Sequence, residues 1–222
     1  MFASCLFDLD GTLTDPKEGI TKSVQHALRS FGIEEPELEK LKPFIGPPLK
    51  DSFMEFYGLT EEEAVRAVAV YRERFAPVGI FENQIYPGIP SMLEALRKKG
   101  ARLAVASSKP IGFVHQILQY FDIEKYFAVV VGSELDGTRS SKEEVVEEAL
   151  LQLGMLNVPV KERNGICAMI GDRKFDIQGA KAYGLTAVGV RFGFAEKGEL
   201  EKAGADYIAE TVGELGNFLC GK

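Results

Sequence analysis

The 222-residue sequence lacks any run approaching the ~18 consecutive apolar residues that a membrane-spanning helix needs. It is also short of positive charge, with 26 Lys and Arg against 33 Asp and Glu and a formal charge of -7. A general nucleic-acid binder displaces counterions with a basic footprint, so that class of partner is not expected, while a local positive pocket for a small anion stays compatible with the total. Cysteine is scarce and odd in number: Cys5, Cys167 and Cys220 form no C-x-x-C pair, and the first two lie in apolar, strand-like runs. They read as buried reduced thiols, the state expected in a reducing compartment. The N-terminus has no basic leader, and Asp8 and Asp10 interrupt the first apolar run before it reaches signal-sequence length, so the expected location is cytoplasmic. Internal repeats and low-complexity segments are absent. At 45% hydrophobic and 27% charged, the composition is that of an ordinary soluble globular protein, long enough for one substantial domain or for a core carrying a smaller inserted one.

What is present is an alternation of two periods. "FASCLF" is apolar on both faces, as a central strand of a covered parallel sheet should be. "DPKEGITKSVQHALRSFG" then reads as a helix, with Asp15 as N-cap, Pro16 at the first helical position, Glu18 three beyond the cap and Gly32 as the stop. From there to about Tyr86 no strand signal occurs; the pattern gives short helices, with Thr60 capping "EEEAVRAVAVYRERF" and Gly-Pro-Pro as a rigid turn. After the return segment "NQIYPGIP", apolar strands ("RLAVASS", "FAVVVG", "GICAMIGD", "TAVGV", "DYIAE") alternate with amphipathic helices. That alternation predicts an α/β fold, a doubly wound parallel sheet built from βαβ units, interrupted after its first strand by a small all-helical block.

The polar residues collect where such sheets bind ligands, beyond the carboxyl ends of strands. The first strand ends in Asp8 and Asp10, the second in Ser107 and Ser108, a later one in Gly171 and Asp172; Asp176 follows on the next helix. Ser140 with Glu143 has capping-box spacing, which puts Lys142 at the positive end of a helix. Taken singly, Ser107, Ser108 and Asp172 read as caps or turn formers, and Lys142 as a solvated lysine. Asp8 and Asp10 differ. Two residues apart on a strand they face the same way, about 6.5 Å apart along it, and like charges that close resist joint ionisation without a cation or a shared proton. Four carboxylates and one lysine repel an anion, but a hard divalent cation reverses the local charge, and Mg²⁺ suits oxygen ligands combined with phosphate and water. A carboxylate can then attack phosphorus, a second acid can protonate the leaving oxygen and later activate water, and Ser and Lys can hold the phosphoryl oxygens.

"DLDGTLTD" resembles the first signature of the haloacid dehalogenase-like superfamily, and the other stations follow in that family's order along essentially the whole chain: Ser107, Lys142, then "GDRKFD". The resemblance implies Asp8 as nucleophile and metal ligand, and Asp10 as general acid/base that also offers the metal its backbone carbonyl. It implies Asp172 as the second carboxylate ligand of Mg²⁺, Asp176 as support for Lys142 or a metal-bound water, and Ser107, Ser108 and Lys142 as phosphate binders. Members that cleave carbon–halogen bonds lack the second acid and use no metal, so Asp10 implies phosphoryl transfer. "SSKEE" departs from the lysine–proline pair of many relatives. The helical block matches the family's small cap, giving expected domains of 1–14 with 87–222 and 15–86. "PFIGPPLKDSF" resembles the substrate-facing cap loop of phosphoglycolate phosphatase-like and 5′-nucleotidase-like members, which makes Lys50 a candidate contact.

The resemblance therefore implies a Mg²⁺-dependent phosphatase of a small phosphorylated metabolite, phosphoglycolate or a nucleoside 5′-monophosphate. One alternative is a phosphosugar mutase resembling β-phosphoglucomutase, although those relatives usually carry a histidine early in the cap helix, where this chain has Gly19 and Ile20 before His26. Another, of a different class, is a phosphoacceptor signalling module, which would be shorter and have no helical insertion.

Overall fold

A computed structural model describes residues 1–221. In chain order it has β1 (Ser4–Phe7), β2 (Thr14–Asp15), α1 (Lys17–Arg29), α2 (Leu49–Tyr57), α3 (Glu61–Arg74), β3 (Gln84–Ile85) and α4 (Ile89–Lys98). These are followed by β4 (Arg102–Pro110), α5 (Ile111–Tyr120), β5 (Val129–Ser133), α6 (Lys142–Gln152), α7 (Val160–Arg163) and β6 (Cys167–Gly171). The last are α8 (Lys174–Ala182), β7 (Thr186–Val190), α9 (Glu199–Ala203), β8 (Tyr207–Ala209) and α10 (Val212–Leu219). The residues form two units, Met1–Thr14 with everything from Ile85 onward, and Asp15–Gln84. The return lies two residues earlier than the expected boundary, because Tyr86 N already donates to Leu13 O at 3.2 Å.

The larger unit is an α/β fold on a six-stranded sheet ordered β5-β4-β1-β6-β7-β8, with neighbouring strands parallel. Ser4–Phe7 pairs with Arg102–Val105 on one side and Cys167–Ile170 on the other. The chain leaves β1 for β4 and β5, then returns to β6 on the opposite side, so the winding reverses at β1. That reversal opens a crevice beyond the strand's carboxyl end. Successive strand residues point to opposite faces, and Cys5, Leu6 and Phe7 are all fully buried, so both faces of β1 are covered. On one face α6 and α8 bring Val145, Ala149 and Ile177 against Leu6, Ala104 and Met169. Each large aliphatic side chain contributes roughly 1.5–3 kcal/mol by leaving water. Cys5 and Cys167 are free and buried, and burial pushes the Cys167 thiol up to about 12, so both behave as small apolar residues.

Two helix starts differ from the sequence reading. Asp15 lies in β2, where its carboxylate accepts from Lys17 N at 2.9 Å, and Pro16 takes the N-cap position of α1. The capping box of α6 is Ser141 with Glu144, not Ser140 with Glu143: Glu144 N donates to Ser141 Oγ at 3.2 Å, and Ser141 N to Glu144 Oε2 at 3.0 Å. "SSKEE" contains both spacings, and the later one makes Lys142 the first helical residue, buried rather than solvated.

The smaller unit is helical. Thr60 and Glu63 form the capping box of α3, which runs into a π turn at Phe75–Gly79. That turn lies against α1 so closely that a Cβ on Gly19 would be 1.9 Å from Gly79 O. Arg74 donates to Glu82 through both terminal nitrogens, at 2.8 and 3.1 Å, and to Ser23 Oγ at 3.2 Å. Among the described residues no helix is long and apolar enough to cross a membrane.

Candidate active site

The carboxyl end of β1 runs into a tight loop in which Leu9 O accepts from Leu13 N and Thr14 N at 2.9 and 3.1 Å, and Thr14 O from Gly11 N at 2.8 Å. Gly11 has φ +79°, and a Cβ there would lie 2.1 Å from Asp172 Oδ2, so both conformation and space demand glycine. Because β1 ends at Phe7, Asp8 and Asp10 do not share a strand face as expected. Asp8 continues alongside β6, its N donating to Ile170 O at 2.9 Å, whereas Asp10 sits in the loop and bridges to Thr14.

Their carboxylates accordingly part company. Asp8 joins Asp172 and Asp176, with one ligand oxygen from each lying within 4.8 Å of the others. Asp10 turns instead to Lys109, whose Nζ is 2.5 Å from Asp10 Oδ2. The site thus contains two lysines where the sequence reading counted one.

Lys142 Nζ lies 2.9 Å from Asp8 Oδ1 and 2.8 Å from Asp176 Oδ1, and donates to Ala106 O at 3.1 Å. Burial works to lower its ammonium pKa, but Asp176 and Asp8 outweigh burial and hold it above the ordinary value. Asp176 occupies the first turn of α8, where Oδ2 accepts from Arg173 N at 3.0 Å. Gly171 makes room for it, since a Cβ there would lie 2.0 Å from the Asp176 carboxyl carbon. Asp172, at the end of β6, accepts from Phe194 N at 2.8 Å. A Cβ on neighbouring Gly193 would lie 2.4 Å from Asp172 Cβ.

Burial pushes the Asp176 carboxyl up to about 6, with Lys142 opposing and Asp8 adding to the rise. It pushes Asp172 well above its ordinary value, and the charges of Asp176 and Asp8 push it further. Asp172 Oδ1 is buried without a hydrogen-bond partner among the described residues. Acids raised first by burial and then by neighbouring carboxylates, with an oxygen left unpaired, fit a hard cation that exchanges for their protons.

The serines sit on an irregular stretch of β4. Ala106 pairs with Val131 and Pro110 with Ser133, so Ser107, Ser108 and Lys109 lie opposite Gly132 alone. Ser107 is buried, its Oγ 3.4 Å from Lys109 N, and the Ser108 carbonyl accepts from Ser133 Oγ at 2.8 Å. Lys50 belongs to the smaller unit, at the start of α2, where it pairs with Glu61 at 2.9 Å and is 43% exposed.

The structure therefore brings Asp8, Lys142, Asp172 and Asp176 together. Sequence reasoning missed Lys109, the Phe194 amide, and the glycines at 11, 171 and 193 as space-makers. The available signal was "SSKP", which puts a lysine directly after the strand-end serines.

The geometry has counterparts among known proteins. Residues 5–190 match the haloacid dehalogenase-like hydrolase model. A 5′-nucleotidase of Pseudomonas aeruginosa is 48% identical over 199 residues, covering 90% of this chain and 87% of the relative. Tyrosine-protein kinase PtkA of Mycobacterium tuberculosis is 38% identical over 216 residues, covering 96% of this chain and 71% of the relative. The crystal structure of a Clostridium acetobutylicum protein described as a predicted phosphatase superposes with a TM-score of 0.93 at 44% identity, each chain fully covered. The chain belongs to the haloacid dehalogenase-like hydrolases. Within that family it is an enzyme of the phosphatase kind.

Proposed function

We propose that the protein hydrolyses small phosphate monoesters through an aspartyl-phosphate on Asp8, with nucleoside 5′-monophosphates as the first substrate class and phosphoglycolate as the second. The observation that carries this reading is the buried group of Asp8, Asp172 and Asp176 closed by Lys142 at the winding reversal of the sheet. The 48% identity to a protein named 5′-nucleotidase supports the order of substrates.

Asp8 and Asp172, with the Asp10 carbonyl, would hold Mg²⁺, and Asp176 would steady it or Lys142. When bound, Mg²⁺ supplies positive charge against that gathering on the phosphoryl oxygens. The Ser107 hydroxyl, the Ser108 hydroxyl and the Lys142 ammonium hold those oxygens. An Asp8 carboxylate oxygen attacks phosphorus, the ester P–O bond breaks, and Asp10 gives its proton to the departing alkoxide. Asp10 then takes a proton from water as the water oxygen attacks the aspartyl-phosphate, which releases inorganic phosphate and restores both acids. The helical unit, residues 15–84, takes the role of cap, and substrate choice lies there, with Lys50 as a candidate contact.

Phosphate release from nucleoside monophosphates, phosphoglycolate and hexose phosphates, with Mg²⁺ and with chelator, tests the reading beside the Asp8→Asn protein. Metal-dependent turnover that disappears in the variant supports it. Isomerisation of a sugar phosphate without net hydrolysis would replace it with the mutase reading. The kinase name of the mycobacterial relative favours a second reading, transfer of phosphate to a tyrosine hydroxyl instead of to water. Labelled phosphate appearing on an added tyrosine peptide rather than in solution would select that one.

A further inference from the structure

Lys109 has no part in the scheme above, yet the fold goes out of its way to place it. Three residues of β4 face a single residue of β5, so the pairing register shifts between Ala106 and Pro110. Bulges of this kind re-aim side chains next to active sites. This one depends on Gly132, where a Cβ would lie 2.7 Å from Lys109 O and 2.8 Å from Ile111 Cα, both backbone atoms that cannot swing aside. The result is a buried ion pair, with Lys109 Nζ 2.5 Å from Asp10 Oδ2 and side chains only 7% and 11% exposed. Asp10 Oδ1, by contrast, is buried with no hydrogen-bond partner among the described residues. One oxygen of the carboxyl is tied down and the other is left for a further group.

We propose that Lys109, aimed by the β4 bulge, is the positioning residue of Asp10: it clamps Oδ2 so that Oδ1 presents to the ester and water oxygens. This rests on the reading of Asp10 as the proton carrier. A carboxyl on a free side chain samples several rotamers. A clamped one is already oriented, and misplacement of about 1 Å can cost about 10²-fold in rate. Lys109 acts through Asp10, so it has no effect of its own once Asp10 can no longer carry a proton.

That property sets the test. Steady-state kinetics with Mg²⁺ are measured for wild type, Lys109→Met, Lys109→Arg, Gly132→Ala, Asp10→Asn and Asp10→Asn/Lys109→Met. An alkyl phosphate is compared with p-nitrophenyl phosphate, whose leaving group departs with less need of a proton. We expect Lys109→Met to lower kcat by about 10- to 10²-fold with KM within about threefold. The loss in kcat/KM should be larger for the alkyl ester, partly restored in Lys109→Arg, and absent when Lys109→Met is added to Asp10→Asn. Gly132→Ala, which keeps the lysine and disturbs its aim, should give the same signature, and it carries the test if Lys109→Met does not fold. A change confined to KM would overturn the proposal in favour of a substrate-binding lysine. Unchanged kcat in a folded Lys109→Met protein, or in Gly132→Ala when that variant carries the test, would overturn it too, as would an undiminished loss in the Asp10→Asn background. If Asp10→Asn alone costs less than tenfold, the reading of Asp10 falls and the role of Lys109 falls with it. If Asp10→Asn costs 10²-fold or more while Lys109→Met costs nothing, only the role of Lys109 falls.

Discussion

Gly11, Gly171 and Gly193 each stand where one methyl group would collide with a carboxyl side chain of the site, Asp172 for the first and third and Asp176 for the second. The acids are therefore held by backbone that comes unusually close, as well as by hydrogen bonds. Gly11→Ala should fold, because the loop is short and local, but displace Asp172 and lower kcat by about 10²-fold; steady-state kinetics beside a thermal melt would show it, and an active, equally stable variant would refute the packing argument. Asp8→Asn should keep the melting temperature within a few degrees and abolish turnover, since an amide cannot serve as the nucleophile. At this scale much of the site was legible. Asp8, Asp172 and Asp176 follow strand ends in a sequence whose strands are plainly apolar, so topology alone gathers them. Lys109 was not legible in the same way, because a lysine after two serines reads as solvated until the bulge that turns it inward is known.

Among the elements, β4 and α6 show why boundaries resist reading. "RLAVASS" reveals a buried strand, but the pairing of Pro110 with Ser133 depends on Gly132 in a different strand, which no local pattern in β4 records. "SSKEE" offers two equivalent capping boxes, and the difference of one residue decides whether Lys142 is solvated or buried. The alternation of apolar strands with amphipathic helices was legible, because a parallel sheet covered on both faces leaves little freedom in where apolar residues go. In the smaller unit the segment joining α3 to β3 is secured by Glu82, whose carboxyl is held below the usual range first by Arg74 and then by Lys22, against the opposing effect of burial. A depressed carboxylate stabilises the fold above its unfolded pKa, and that contribution is lost as pH falls through the folded value. Glu82→Gln should thus cost about 1 kcal/mol at pH 7, with the gap in thermal stability from wild type narrowing as the pH is taken well into the acid range. A gap constant with pH would mean that the ion pair contributes nothing.

For the molecule as a whole, the larger unit combines a net acidic chain with a site that needs positive charge to receive phosphate. On the proposed function, the buried acids at the winding reversal would draw that charge from a bound cation rather than from a basic surface. With Asp176 raised to about 6 and Asp172 raised as well, protons would compete with a bound cation as the pH falls. Mg²⁺ affinity should fall by about tenfold per pH unit below about 6 for each proton displaced, and calorimetric titration in two buffers should detect proton release near pH 6. Affinity independent of pH would place the cation elsewhere. The covalent step at Asp8 is tested most directly by intact-protein mass spectrometry of acid-quenched reactions with a nucleoside 5′-monophosphate and Mg²⁺. A transient gain of one phosphoryl group, mapped to Asp8 and missing from Asp8→Asn, is the predicted result; sustained turnover with no phosphorylated chain under any quench time, and undiminished in Asp8→Asn, would contradict it.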